Sequence, residues 1–218
     1  MPYSGGDILV ADGASTNFSN PVLITDATSG TTVNEGTASG NTILVQSGVL
    51  ENTSTGIINN LIQLEPDAVI NNAGTMGNID AQGGTLNNDG TITGNVTMYA
   101  GANTNVVNNT GTIKSVVQKS GVLNNSGTVT SRITQDNGTF NNLEGGTVQN
   151  GSRMTSNSVV NNDGTWILGS SSSGNNAGML EINNNSVFNN RGEFTLDNSK
   201  NAVHINNSGT LYNTGRLC

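Results

Sequence analysis

The sequence predicts an all-β fold, a single-stranded parallel β-helix (β-solenoid) with about 16–21 residues per coil. Three observations carry this. One phrase recurs along the chain: an apolar residue, two asparagines, a variable residue, Gly, Thr and a second apolar residue. Its copies are INNAGTM from Ile70, LNNDGTI from Leu86, VNNTGTI from Val107, LNNSGTV from Leu123, FNNLEGGTV from Phe140, VNNDGTW from Val160, FNNRGEF from Phe188 and INNSGTL from Ile205. The intervals between the leading residues are 16, 21, 16, 17, 20, 28 and 17, a short period that marks a stacked array. The composition agrees: 29 Gly and 38 Asn against 33% hydrophobic and 4% aromatic residues leave too little apolar material for a large globular core. No 3.6-residue apolar period appears.

A period this short is too small for paired helices. It suits two or three short strands per coil, such as Val122–Leu123, the run from Thr112 and the piece at Val116–Val117. Such strands pair in parallel with the coils above and below at about 4.8 Å. One inward column is then Ile70, Leu86, Val107, Leu123, Phe140, Val160, Phe188 and Ile205. The second is Met76, Ile92, Ile113, Val129, Val148, Trp166, Phe194 and Leu211.

The corner is assigned to Asn71, Asn72 and Gly74; Asn87, Asn88 and Gly90; Asn108, Asn109 and Gly111; Asn124, Asn125 and Gly127; Asn161, Asn162 and Gly164; and Asn206, Asn207 and Gly209. Asn and Gly tolerate the left-handed backbone that a sharp bend asks for. Stacked asparagines also form hydrogen-bonded ladders. The residue between Asn-Asn and Gly varies from Ala to Arg, so it is expected to face solvent. The Thr after each Gly starts a strand.

Taken in order, residues 1–32 are expected to form opening or cap strands, with apolar pieces at Ile8–Ala11 and Val22–Ile24. Residues 33–218 are expected to form the solenoid. Worn corners lie at Val33–Thr37 and Leu50–Ile57, a further rung at Ile57–Ile62, and the most regular part spans 70–218. Residues 99–103 read as a bulged turn. An insertion at about 169–178 gives a polar loop, and Gly169, Ser170, Ser171, Ser172, Ser173 and Gly174 are a candidate contact surface. No capping helix follows Leu211, so the chain is expected to be either a piece of a longer repeat protein or one that stacks end to end, with Cys218 at the junction.

The net charge is −8, and residues 1–113 contain no Lys or Arg. An acidic chain without a basic stripe argues against nucleic acid and anionic membranes as partners. No apolar run approaches membrane-spanning length. Cys218 is the only cysteine, which rules out an internal disulfide. His204 alternates with Val203 and Ile205 on a strand and is expected to point outward. Asp89 and Asp163 occupy the variable corner position, coils apart, where they cannot act as a glycosidase pair. We therefore expect no catalytic residue, no cofactor and no metal. The threonines Thr75, Thr91, Thr112, Thr128, Thr147, Thr165 and Thr210 are expected to form a column beside the corner.

The phrase in LNNSGTV and VNNTGTI resembles the passenger regions of Gram-negative autotransporter adhesins and haemagglutinin-type adhesins, over about residues 33–218. The resemblance implies a right-handed β-helix displayed at the bacterial outer surface. Its expected partners are a host or bacterial surface ligand, glycan or protein, or further copies of itself. The expected function is attachment or aggregation without enzymatic activity. The alternatives are an end-to-end filament subunit and a carbohydrate-acting or ice-binding β-helix.

Overall fold

The computed structural model describes residues 2–3, 7–25, 30–101, 105–169, 178–196 and 202–218. Every regular element among these residues is a strand, and every strand pairing is parallel, joining each coil to the next in one continuous β-solenoid. A coil has three faces. In one coil these are Val122–Asn125, Thr128–Val129 and Ile133–Gln135. They stack in register on Thr139–Asn142, Thr147–Gln149 and Ser152–Met154 of the next. Longer strands such as Thr112–Gln118 run through the bend between the second and third faces.

The pleat decides what is buried. On Val122–Asn125 the burial alternates, with Leu123 and Asn125 inward and Val122 and Asn124 half-exposed outward, because successive side chains point to opposite sides of a sheet. Leu123 stacks between Val107 and Phe140. The column runs from Leu50 through Ile70 and Leu86 to Phe188, all fully buried. The second face contributes Met76, Ile92, Ile113, Val129, Val148, Trp166 and Phe194. A third inward set on the third face, including Ile62, Ile79, Val96, Val116 and Ile133, completes the core. Phe140, Trp166, Phe188 and Phe194 meet edge to face, with centroids 5.6, 5.1 and 5.7 Å apart, a geometry that the ring quadrupoles favour.

Ile8–Val10, Ser15–Phe18 and Val22–Ile24 pair in parallel with the three faces of the next coil and so open the stack. Two expectations need correction. Ile57–Ile62 is not a rung of its own, because Ile57–Ile58 is the second face of its coil and Ile62 opens the third.

The copy at Ile205 is out of register. Ile205 ends a third-face strand, pairs with Ile182 and is 47% exposed. Phe188 stacks instead on Leu211, and Asn190 on Asn213, 23 residues on. Leu211 thus belongs to the first column and Leu217 takes its place beside Phe194. Thr210 likewise pairs with Val187 on the first face, and Glu193 and Arg216 continue the threonine column. Asn206 and Asn207 sit on the other bend, stacked on Asn183 and Asn184 at 3.1 and 3.3 Å. There Asn207 and Ser208 adopt positive φ, which the paired asparagines of the first-face bend do not. Two different bends carry the same dipeptide.

Candidate functional site

The corner residues come together as two parallel ladders. The second asparagine of each copy points inward. Asn34 donates from Nδ2 to Asn52 Oδ1 at 2.8 Å, Asn52 to Asn72, Asn72 to Asn88, and so on through Asn109, Asn125, Asn142, Asn162 and Asn190 to Asn213. The inward amides of Asn72, Asn88, Asn109, Asn125 and Asn190 also donate to the corner carbonyl two residues on, as Asn125 does to Gly127 at 3.2 Å. The ladder starts where Val10 stands in place of an asparagine, leaving Asn34 Oδ1 buried without a partner. The first asparagine of each copy points outward and forms a second ladder from Asn71 through Asn87, Asn108, Asn124, Asn141 and Asn161 to Asn189. Its donors run the opposite way, from each coil back to the one before. The two rows of amide dipoles therefore oppose each other.

The corner glycines are required for space and not for conformation. Gly127 lies outside the positive-φ region. A Cβ there would meet the Gly111 carbonyl oxygen far inside contact distance, with the Thr110 carbonyl carbon at 2.5 Å. Gly111 stands in the same relation to Gly90, and Gly90 to Gly74. The carbonyl that would be struck is occupied: Gly111 accepts the Thr128 N–H at 2.8 Å and Asn109 Nδ2 at 3.2 Å. Positive-φ glycines do occur at the bend between the third and first faces, as at Gly121 and Gly138, and in the longer corner of the Phe140 copy at Gly145.

The variable position is exposed at Ala73, Asp89, Thr110, Ser126, Asp163 and Arg191. Asp89 accepts the Thr110 hydroxyl. Asp163 and Arg191, one coil apart, form a two-point pair at 2.6 and 2.8 Å. The hydrogen bonds from Arg191 hold the Asp163 carboxyl below the usual carboxylate range. A lowered carboxylate stabilises the fold above its unfolded pKa of about 4 and loses that contribution as pH falls through the lower folded value. Both groups are at the surface, so the pair is worth at most ~1 kcal/mol. Asp163→Asn is expected to lower stability slightly at pH 7 and not at all near pH 2. A deficit of the same size at both pH values, by urea denaturation, would refute the pairing account.

On the third face a shallow groove of about 290 Å³ crosses three coils, lined by Val117, Lys119, Thr134, Asp136, Arg153 and Thr155. The Lys119 ammonium lies 4.6 Å from the centre of the Tyr99 ring, and Arg153 and Arg132 reach Glu181 at 3.3 and 3.6 Å. No phrase in the sequence marks this cluster. Its members meet only once the register puts Val117, Thr134 and Arg153 in one column. His204 is exposed beside Glu181, and Cys218 is exposed with Sγ 3.8 Å from Glu193. Among the described residues no three His, Cys, Asp or Glu side chains are grouped to hold a metal ion. Of the candidate contact loop, Gly169 is half-buried, whereas Ser170, Ser171, Ser172, Ser173 and Gly174 lie outside the described residues, as do 102 and 103 of the 99–103 turn.

Compared with models of protein families, with curated proteins and with solved structures, the chain matches none.

Proposed function

We propose that this solenoid is a non-enzymatic bacterial surface module at the cell exterior, of the adhesin type, which presents long regular side-chain columns to a surface ligand or to other copies. The observation that supports this reading is the continuity of its outward columns. A ligand that touches one coil meets the same chemistry on the next, at a strand spacing of about 4.8 Å. Repetition of weak contacts gives attachment through multivalency, without any single deep pocket. The likeness of the Asn-Asn-x-Gly-Thr phrase to autotransporter and haemagglutinin-type passengers points the same way.

The test is adherence. Beads coated with the 218-residue chain are expected to retain bacterial or epithelial cells, or arrayed glycans, in a saturable manner that excess soluble chain competes away. Retention no greater than on albumin-coated beads, for cells and glycans alike, would overturn the reading.

A further inference from the structure

The outward surface of the first face differs from the other two. One of its columns is Val and Thr, with Val69, Thr85, Val106, Val122, Thr139 and Val159 as its centre. The other is the outer asparagine ladder. Both are half-exposed. Across about nine turns, from Thr31 to Asn189, Glu51 is the single charge in these two columns. The other faces and the corner carry Lys114, Asp136, Arg153, Glu181, Asp163 and Arg191. Exposed charges disfavour close packing of like surfaces, and the first face carries only Glu51, against Lys114 and Glu193 on the second face and Asp80, Arg153 and Glu181 on the third.

This face is also cheap to dehydrate. The Val and Thr ridge is apolar or nearly so. Each internal amide of the outer ladder already donates to one neighbour and accepts from the other, as Asn124 does with Asn108 and Asn141 at 3.0 and 2.9 Å. Polar groups that hydrogen-bond to one another lose less on leaving water than unpaired ones.

We propose that the first face pairs with the same face of a second copy, the two solenoids running antiparallel about a two-fold axis. In that arrangement the apolar ridge meets the apolar ridge and the amide ladder meets the amide ladder, with no like charges opposed along the centre of the contact. The size fits a reversible dimer. Four-residue strands are ~13 Å wide and about nine turns are ~43 Å tall, on the order of 600 Å² per copy. The pair then covers ~1,200 Å², the size of weak and transient contacts at the lower bound of specific interfaces, and holding copies close together raises their effective concentration. This deepens the surface-module reading by naming one partner. The contact is read from the face itself, so its failure leaves adherence to other ligands standing.

Sedimentation equilibrium across the micromolar range tests it on the 218-residue chain, with circular dichroism as the check on folding. Wild type is expected to be a monomer–dimer mixture. Val122→Lys, an outward change at the centre of the ridge, is expected to weaken the dimer at least ~10-fold. Val159→Lys, further along the same ridge, provides a second reading should the first variant fold poorly. Thr97→Lys, outward on the third face, is expected to dimerise as wild type does. A wild type that stays monomeric throughout, a folded Val122→Lys or Val159→Lys that dimerises normally, or equal loss in Thr97→Lys would each overturn the proposal. Persistence of association in the ridge variants would point to the coil ends instead.

Discussion

Gly127→Ala is expected to destabilise the solenoid by ~3 kcal/mol or more, because the added methyl has no space and the atoms around it are backbone. Overpacking of a well-filled site typically costs 1–3 kcal/mol when side chains can yield. Here the obstacle is the Gly111 carbonyl, fixed by hydrogen bonds from Thr128 and Asn109. Relief requires two coils to separate at the corner, which breaks those bonds. Gly145→Ala provides the contrast. Gly145 has φ of 84° but its Cβ would find its nearest neighbour at 4.0 Å, so only backbone strain of roughly 1 kcal/mol is incurred. Urea denaturation of both variants measures the difference. A larger loss for Gly145→Ala would mean that conformation, and not close approach, dictates glycine along this chain.

That reversal shows what the sequence made legible and what it did not. The period and the apolar residues flanking Asn-Asn-x-Gly specify the fold and seven members of each expected inward column, because a parallel stack keeps like residues together. The reason for the glycine was not legible. A residue's letter does not distinguish the need for positive φ from the need for no side chain, and only the position of Gly111 under Gly127 does so. The register slip at Ile205 has a similar origin. Asn206-Asn207 repeats the phrase, but the strand before it continues the third face, and the bend it makes is the one that begins at Asn183. Third-face strands such as Ile133–Gln135 lack any recurring phrase, so their inward residues and the groove around Lys119 and Arg153 stayed hidden until pairing aligned them. The charge-poor outward face was hidden for another reason: Val and Thr alternate along its ridge without a phrase, and only the pairing of Thr85, Val106, Val122 and Thr139 shows them as one column.

The same pleat separates the two asparagines of each corner, and the most direct measure of it is a pair of isosteric variants one residue apart. Asn125 is fully buried. It accepts from Asn109 and donates to Asn142 and to the Gly127 carbonyl at 2.7, 2.7 and 3.2 Å. Asn125→Asp turns both donations into oxygen facing oxygen and leaves a charge without a partner, and losses of ~3–5 kcal/mol are typical when a buried charge is left uncompensated. Asn124→Asp keeps its acceptance from Asn141 and loses only the donation to Asn108, at a half-exposed site where water can replace it. Its expected cost is below ~1 kcal/mol. The two also differ in pH dependence. Burial raises the introduced carboxyl at position 125 above its unfolded value of about 4. Stability relative to wild type is then best preserved below pH 4, where the neutral acid can donate one bond, and is lost as pH rises through the folded value. Chemical denaturation of wild type and both variants at pH 4 and pH 7 gives the comparison. Equal losses for the two variants, or a deficit for Asn125→Asp that does not grow with pH, would show that the inner ladder is not the buried hydrogen-bonded spine along which the coils are stacked.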